Sequence, residues 1–166
     1  MSQGLPTANR GRTGMEVTRL GYGAMEVRDA PRGRAVAEDQ AENVLNAVLD
    51  SGINFIDTAN GYGRSEEFIG RYISHRRSEY YLATKCGCIG TDHIWTRENL
   101  FRGLDESLQR MNTDYVDVMQ LHNPSVDQSE RGELVDALQE MRQLEKVRWI
   151  GISTTLPHIP AMGRFR

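Results

Sequence analysis

Residues 55–63 read FIDTANGYG, and two later runs end in the same manner: YYLATK at 80–85 and YVDVMQLH at 115–122. Each starts as a short apolar stretch rich in β-branched or aromatic residues, the composition of a buried strand. Each stops on an ionisable side chain: Asp57, Lys85 and His122. Strand-like runs of this kind recur with helical patterns between them, the pattern of parallel strands joined by crossover helices. The fold class is therefore α/β. In a parallel α/β barrel the carboxyl ends of the strands share one face, so residues distant in sequence gather at one mouth.

The intervening segments support this reading. Met15 to Leu20 follows the turn-rich GRTG at 11–14 and is expected to pair back as an N-terminal hairpin, with LGYGAM (20–25) as the first core strand. In ENVLNAVLDSG (42–52), Val44, Leu45, Val48 and Leu49 share one face with the preceding Ala41 at the 3.6-residue period, and Gly52 supplies a stop. Asn54 to Asp57 forms the second strand. A short helix over 66–73 then carries Glu66 and Glu67 in its first turn, where negative charge complements the helix dipole.

Tyr80 to Lys85 is the third strand, and Thr96 is a good N-cap for RENLFRGLDESLQRM (97–111), with its stripe of Leu100, Leu104, Leu108 and Met111. The fourth strand spans Tyr115 to His122. Asn123 and Pro124 open a polar loop reaching Gly132, a helix face follows on Leu134, Ala137, Leu138, Met141 and Leu144, and Trp149 to Ser153 is the fifth strand. The count is five strands and four crossover helices. After Ser153 the stretch TTLPHIPAMGRFR, with two prolines and a basic end, shows no convincing sixth strand.

Composition bounds the partners. The 166 residues are 39% hydrophobic and 26% charged, enough for one domain with a sizeable core. A net charge of −3 and a pI near 5.8 provide no broad basic field, so nucleic acid and anionic membrane surfaces are not expected as partners. The chain has neither a signal-peptide core nor an apolar run of membrane-spanning length, and two cysteines two positions apart make no disulfide framework; a reducing cytoplasm is expected. Cys86 and Cys88 with nearby His93 lack the paired spacing of a structural zinc site, so no metal centre is expected.

Gathered at one mouth, the carboxylate of Asp57, the phenol of Tyr62 on the loop just beyond it, the amine of Lys85 and the imidazole of His122 can polarise a carbonyl and move a proton. An ammonium beside a phenol favours the phenolate and makes the phenol a better proton donor. No side chain supplies hydride, so carbonyl reduction here requires a reduced nicotinamide or flavin. Taken singly, each residue has a commoner structural use: a turn Asp, a rim Tyr, an exposed Lys, a hydrogen-bonded core His. The inference rests on their joint placement. Neither Gly21 with Gly23 nor Gly61 with Gly63 completes a G-x-G-x-x-G loop, which disfavours a Rossmann site.

The stretches GRTGMEVTRLGYGAM, GINFIDTANGYGRSEEFIGRYI, YYLATKCG, RENLFRGLDESLQRMNTDYVDVMQLHNP and VRWIGIS, in order and in register, resemble the aldo-keto reductase family, and within it the bacterial group similar to potassium-channel β-subunits. The combination D-T-A-x-x-Y-G, T-K and L-H is far more specific than any one short motif. The resemblance implies a (β/α)8 TIM barrel that reduces aldehydes or ketones with NADPH. It implies Asp57, Tyr62, Lys85 and His122 as a catalytic tetrad, in which Tyr62 donates the proton, Lys85 tunes it, Asp57 holds Lys85 and His122 orients the carbonyl.

By the same resemblance Ser153 matches a serine that touches the nicotinamide carboxamide, while Thr154 stands where the family usually has Asn. Gly23, Ala24 and Met25 match a backbone stretch beside the cofactor, and plain packing of the first strand accounts for them equally well. Ile94, Trp95 and the loop after Lys85 are candidate pocket walls for a small carbonyl substrate.

A complete barrel takes about 250 residues, and the family's later strands carry most grips on the adenosine phosphates. Residues 1–166 are therefore expected to be a single aldo-keto reductase-like domain, about five of eight βα units, truncated after the fifth strand. The alternative is a non-catalytic half-barrel, an interaction module or one that self-associates through its open barrel edges.

Overall fold

The computed structural model describes residues 4–31, 33–89, 92–129 and 132–154. In chain order its strands are β1 (Thr7–Asn9), β2 (Glu16–Thr18), β3 (Tyr22–Gly23), β4 (Phe55–Asp57), β5 (Tyr81–Cys86), β6 (Cys88–Ile89), β7 (Asp92–His93), β8 (Val116–His122) and β9 (Val147–Ser153). Its α-helices are α1 (Glu38–Asp50), α2 (Ser65–Tyr72), α3 (Arg97–Met111), α4 (Val126–Ser129) and α5 (Gly132–Gln143).

Five strands, β3, β4, β5, β8 and β9, lie side by side in that order and are all parallel. One long helix sits in each crossover: α1, α2, α3 and α5. A doubly wound sheet reverses its strand order at a switch point, whereas an order that follows the chain places every helix on one side, as a barrel wall does. The packing agrees, with α1 against α2, α2 against α3 and α3 against α5.

Strand alternation sorts the side chains between two layers. Leu82 and Cys86 of β5 and Met119 and Leu121 of β8 join the large core beneath the helices, together with Leu45, Phe68, Leu104 and Leu138. On the other face Phe55, Ala83 and Val118 form a smaller cluster with Met15. Met15 arrives on the antiparallel β1–β2 hairpin, paired Thr7 to Thr18, which covers the sheet at the end where the strands begin.

Local sequence accounts for the helix ends. Thr96 caps α3 by accepting from the Asn99 N–H at 3.3 Å, and Asn112 closes it in the left-handed conformation. Between α2 and α3 the backbones nearly touch: a Cβ on Gly70 lies 2.0 Å from the Arg110 carbonyl oxygen. The same contact brings the buried Glu66 carboxylate to Arg110, at 2.8 Å from Nε, and to the Thr84 hydroxyl at 2.6 Å. At the start of β8, Asp117 accepts from the Leu82 N–H at 2.9 Å and from Arg77 at 2.6 Å. These charges lie on the helix side or at the far end of the sheet and hold the scaffold. Among the described residues no helix is long and apolar enough to cross a membrane.

The expected five strands, four crossover helices and N-terminal hairpin are all present. The first core strand is shorter than LGYGAM: only Tyr22–Gly23 pair with β4, and Ala24–Val27 turn into a 3-10 helix that buries Ala24 and Val27. The polar loop after Pro124 contains α4, where Ser125 and Gln128 bond each other reciprocally. The β6–β7 hairpin follows β5 directly. The expectation that no sixth strand follows Ser153 falls largely on residues 155–166, outside those described.

Gly70→Ala forces α2 and α3 apart, and we expect a loss of unfolding free energy at the upper end of the ~1–3 kcal/mol typical of overpacking, read from urea denaturation.

Candidate active site

Side chains facing the barrel interior at the carboxyl ends of β4, β5 and β8 meet at one point. The Lys85 ammonium is an ion-pair partner of Asp57 Oδ1 and donates to the Thr58 carbonyl at 2.8 Å. The second oxygen of Asp57 accepts from Gln120 Nε2 at 3.1 Å. Lys85 and Gln120 are direct neighbours across β5 and β8, and His122 and Ser153 are neighbours across β8 and β9. Lys85 is 4% exposed. A charge so buried is tolerated because an opposite charge and a carbonyl replace its water.

Tyr62 lies over this pair. Lys85 Nζ is 4.9 Å from the centre of the Tyr62 ring, and the His122 ring meets that ring edge-on at 5.6 Å. The loop that delivers Tyr62 is tied at several points: Thr58 N–H to the Ala83 carbonyl at 2.8 Å, Asn60 N–H to the Lys85 carbonyl at 3.2 Å, and Tyr62 N–H to the Ala59 carbonyl at 2.9 Å. Gly63 then has φ of +48°, and a Cβ there falls 2.1 Å from the Arg28 carbonyl oxygen, so the loop passes beneath Arg28 only with glycine at this position. Arg64 N–H donates to that same carbonyl at 2.8 Å. The Thr58 hydroxyl meets Ser65 Oγ at 2.8 Å, and Ser65 in turn reaches the Ala24 carbonyl.

His122 is half-buried, and burial together with the Lys85 and His93 charges pushes its pKa down to about 4. The ring is neutral at physiological pH. Its Nδ1 lies 3.2 Å from Cys88 Sγ, which also lies 3.3 Å from His93 Nε2. His93 stacks on buried Trp95 with ring centres 5.8 Å apart, while Ile94 is exposed. The two cysteines face opposite ways: Cys86 is enclosed in the helix-side core, where burial pushes its thiol up to about 12.

The four residues Asp57, Tyr62, Lys85 and His122 are thus brought together at one mouth. Two of the candidate cofactor residues, Gly23 and Ser153, flank the same point. Gly23 pairs with Asp57, and a Cβ built on it meets nothing within 4 Å, leaving bare backbone beside the site. Met25 is exposed, whereas Ala24 is fully buried beneath its bond from Ser65. Ser153, half-buried, lies beside His122, and its carbonyl accepts from the Asn123 N–H at 2.7 Å.

Sequence reading missed Gln120 as a neighbour of the site and included Cys88 only as part of the loop after Lys85. Gln120 carried a signal: it is two residues before His122 in an otherwise apolar strand, so it shares the imidazole's face. The contact of Cys88 with His122 carried none, because it depends on how β6–β7 folds over the mouth.

An α/β barrel wall with these side chains at its carboxyl rim defines the class, and comparison with known proteins agrees. The chain matches the Aldo/keto reductase family over residues 19–160 and belongs to that family. It is 38% identical over 158 residues to the L-galactose dehydrogenase of Arabidopsis thaliana, covering 89% of this chain and 47% of that protein. Over 124 residues it is 37% identical to an Oryza sativa subsp. japonica protein named "Probable voltage-gated potassium channel subunit beta", covering 70% of this chain and 37% of that one. The solved holo form of an aldo-keto reductase from Bacillus halodurans superposes with a TM-score of 0.83 at 29% identity, over 94% of this chain and 52% of that one. The chain therefore spans about half the length, or less, of the relatives it matches, and its sheet is part of a barrel.

Two measurements follow from the electrostatics. An exposed imidazole takes up its proton near 6.5 and His122 only near 4, so between these values the unfolded chain binds more protons. The contribution of the neutral ring is present above about 6.5 and is lost as pH falls through about 4. We expect the urea-unfolding free energy of wild type to fall more steeply across this window than that of His122→Asn. Asp57→Ala strands the buried ammonium and should cost ~1–3 kcal/mol. Lys85→Met leaves a carboxylate that is 34% exposed and still bonded to Gln120, and should cost less by the same measurement.

Proposed function

We propose that this chain carries the carbonyl-recognition and proton-transfer half of an NADPH-dependent aldo-keto reductase that converts aldehydes or ketones to alcohols. The observation that carries the reading is the stacking of three layers at one point: a carboxylate-held ammonium, a phenol ring over it and a neutral imidazole against that ring's edge. The Tyr62 hydroxyl donates the proton to the carbonyl oxygen as it gains negative charge. Lys85 stabilises the phenolate left behind, and Asp57, steadied by Gln120, keeps Lys85 in place.

A neutral His122 is a hydrogen-bond donor from one ring nitrogen only. When the Cys88 thiol donates to Nδ1, the proton resides on Nε2, which is then free to orient the substrate carbonyl. The reduced nicotinamide supplies the hydride when bound. Gly23 and Ser153 are suited to flank it, the first by offering unobstructed backbone and the second by a hydroxyl beside His122. Thr154 in place of the family's usual Asn weakens one amide contact. A small carbonyl compound is the substrate class, and a reducing cytoplasm suits two cysteines that form no disulfide.

A second reading is favoured by one observation. Among the described residues β9 bonds only to β8, and its Ile150 and Ile152 are half-buried although they sit in a strand of the barrel wall. A second copy, or a complementary chain, completing the wall would cover them.

One preparation tests both readings. Fluorescence titration should detect NADPH binding in wild type and Tyr62→Phe alike, while aldehyde reduction falls by ~100-fold or more in the variant. Absence of cofactor binding, or turnover indifferent to Tyr62, refutes the reductase reading. A folded monomer by light scattering refutes self-pairing.

A further inference from the structure

The Cys88 thiol, which takes no part in hydride or proton transfer, stands between two imidazoles. Cys88 and His93 are directly paired residues of the β6–β7 hairpin, so both side chains leave the same face of that ribbon. His122 reaches them from the end of β8. Cys88 Sγ is 3.3 Å from His93 Nε2 and 3.2 Å from His122 Nδ1, and all three donor atoms lie within 4.8 Å of one another.

The two sulfur–nitrogen separations suit a tetrahedral ion. With metal–sulfur and metal–imidazole bonds of about 2.3 and about 2.0–2.1 Å, two ligands at the tetrahedral angle stand about 3.5 Å apart. The two sulfur–nitrogen separations are within a few tenths of an ångström of this value, and the two imidazole nitrogens lie within 4.8 Å of each other. One thiolate and two imidazoles form a soft-to-borderline donor set, suited to zinc-class ions rather than magnesium or calcium.

We propose that Cys88, His93 and His122 form a binding site for a zinc-class divalent ion, with the fourth position left to water or an exogenous ligand. On coordination the Cys88 S–H bond breaks, its proton passes to solvent and a sulfur–metal bond forms, with no change of oxidation state. His93 is exposed and gives the ion a way in. Two ring contacts pre-set the ligands: Trp95 stacks on His93, and Tyr62 meets His122 edge-on. The nearest lysine, Lys85, is already paired with Asp57, which blunts its repulsion of a cation.

The inference goes beyond the reductase reading and its test needs neither cofactor nor substrate. The full 166-residue chain, kept reduced, is titrated with cobalt(II) and then with zinc(II). One equivalent of cobalt should give a thiolate-to-cobalt charge-transfer band that zinc abolishes. Cys88→Ser should lose the band, and His93→Gln should weaken cobalt binding by about 100-fold or more, at least what loss of an outer-shell partner costs. Cys86→Ser, altering the sulfur on the helix side, should keep both band and affinity. A wild-type chain without the band overturns the proposal, as does a band that survives in Cys88→Ser. Because the His93 side chain is exposed, unchanged cobalt affinity in His93→Gln overturns it even where a strand substitution fails to fold.

Discussion

The buried ammonium of Lys85 is the constraint around which the rest is arranged. A lysine at 4% exposure in a barrel interior is untenable unless water is replaced, and the replacements come from separate segments: the Asp57 carboxylate and Thr58 carbonyl after β4, with Gln120 of β8 holding the other carboxylate oxygen. Such a pair adds little net stability because desolvation offsets its Coulomb attraction. What it does is fix the relative positions of three strand ends. Satisfying that charge requires the parallel register in which Asp57 faces Ala83 and Lys85 faces Gln120.

The same charge shapes its neighbours. Its positive field and the local burial hold His122 neutral, so the ring offers one donor and one acceptor rather than two donors. Its ammonium sits against the face of Tyr62, where the ring quadrupole attracts a cation. The phenol can stay there because the loop from Thr58 to Ser65 is bonded to β5, to Arg28 and to Ala24, with Gly63 passing under a carbonyl that any Cβ would strike. Site geometry is thus set by backbone bonds distant from the chemistry.

Much of this was legible without coordinates. Strand ends at Asp57, Lys85 and His122 were marked by apolar runs stopping on ionisable residues. Helix α3 was marked by its threonine cap and leucine stripe. Other features were not legible, for physical reasons. The end of LGYGAM leaves the sheet at Ala24, where a 3-10 helix packs against α2 and buries Ala24 and Val27, a tertiary contact that local sequence does not announce. Helix α4 is four residues long, too short for periodicity to register, and the β6–β7 hairpin pairs only two residues a side.

Local pattern and composition by themselves determined the alternation of strand and helix and the identity of the ionisable strand ends, since each depends on propensities and periods that operate over a few residues. Only the tertiary structure decided which polar groups face one another: that Gln120 steadies Asp57, that Cys86 turns into the core while Cys88 turns to His93 and His122, and that the imidazole is neutral. The Gln120–Asp57 and Cys88–His122 approaches depend on distances between segments 30 or more positions apart, and the neutral imidazole on the dielectric that their packing creates, and neither quantity is written in any one stretch of chain.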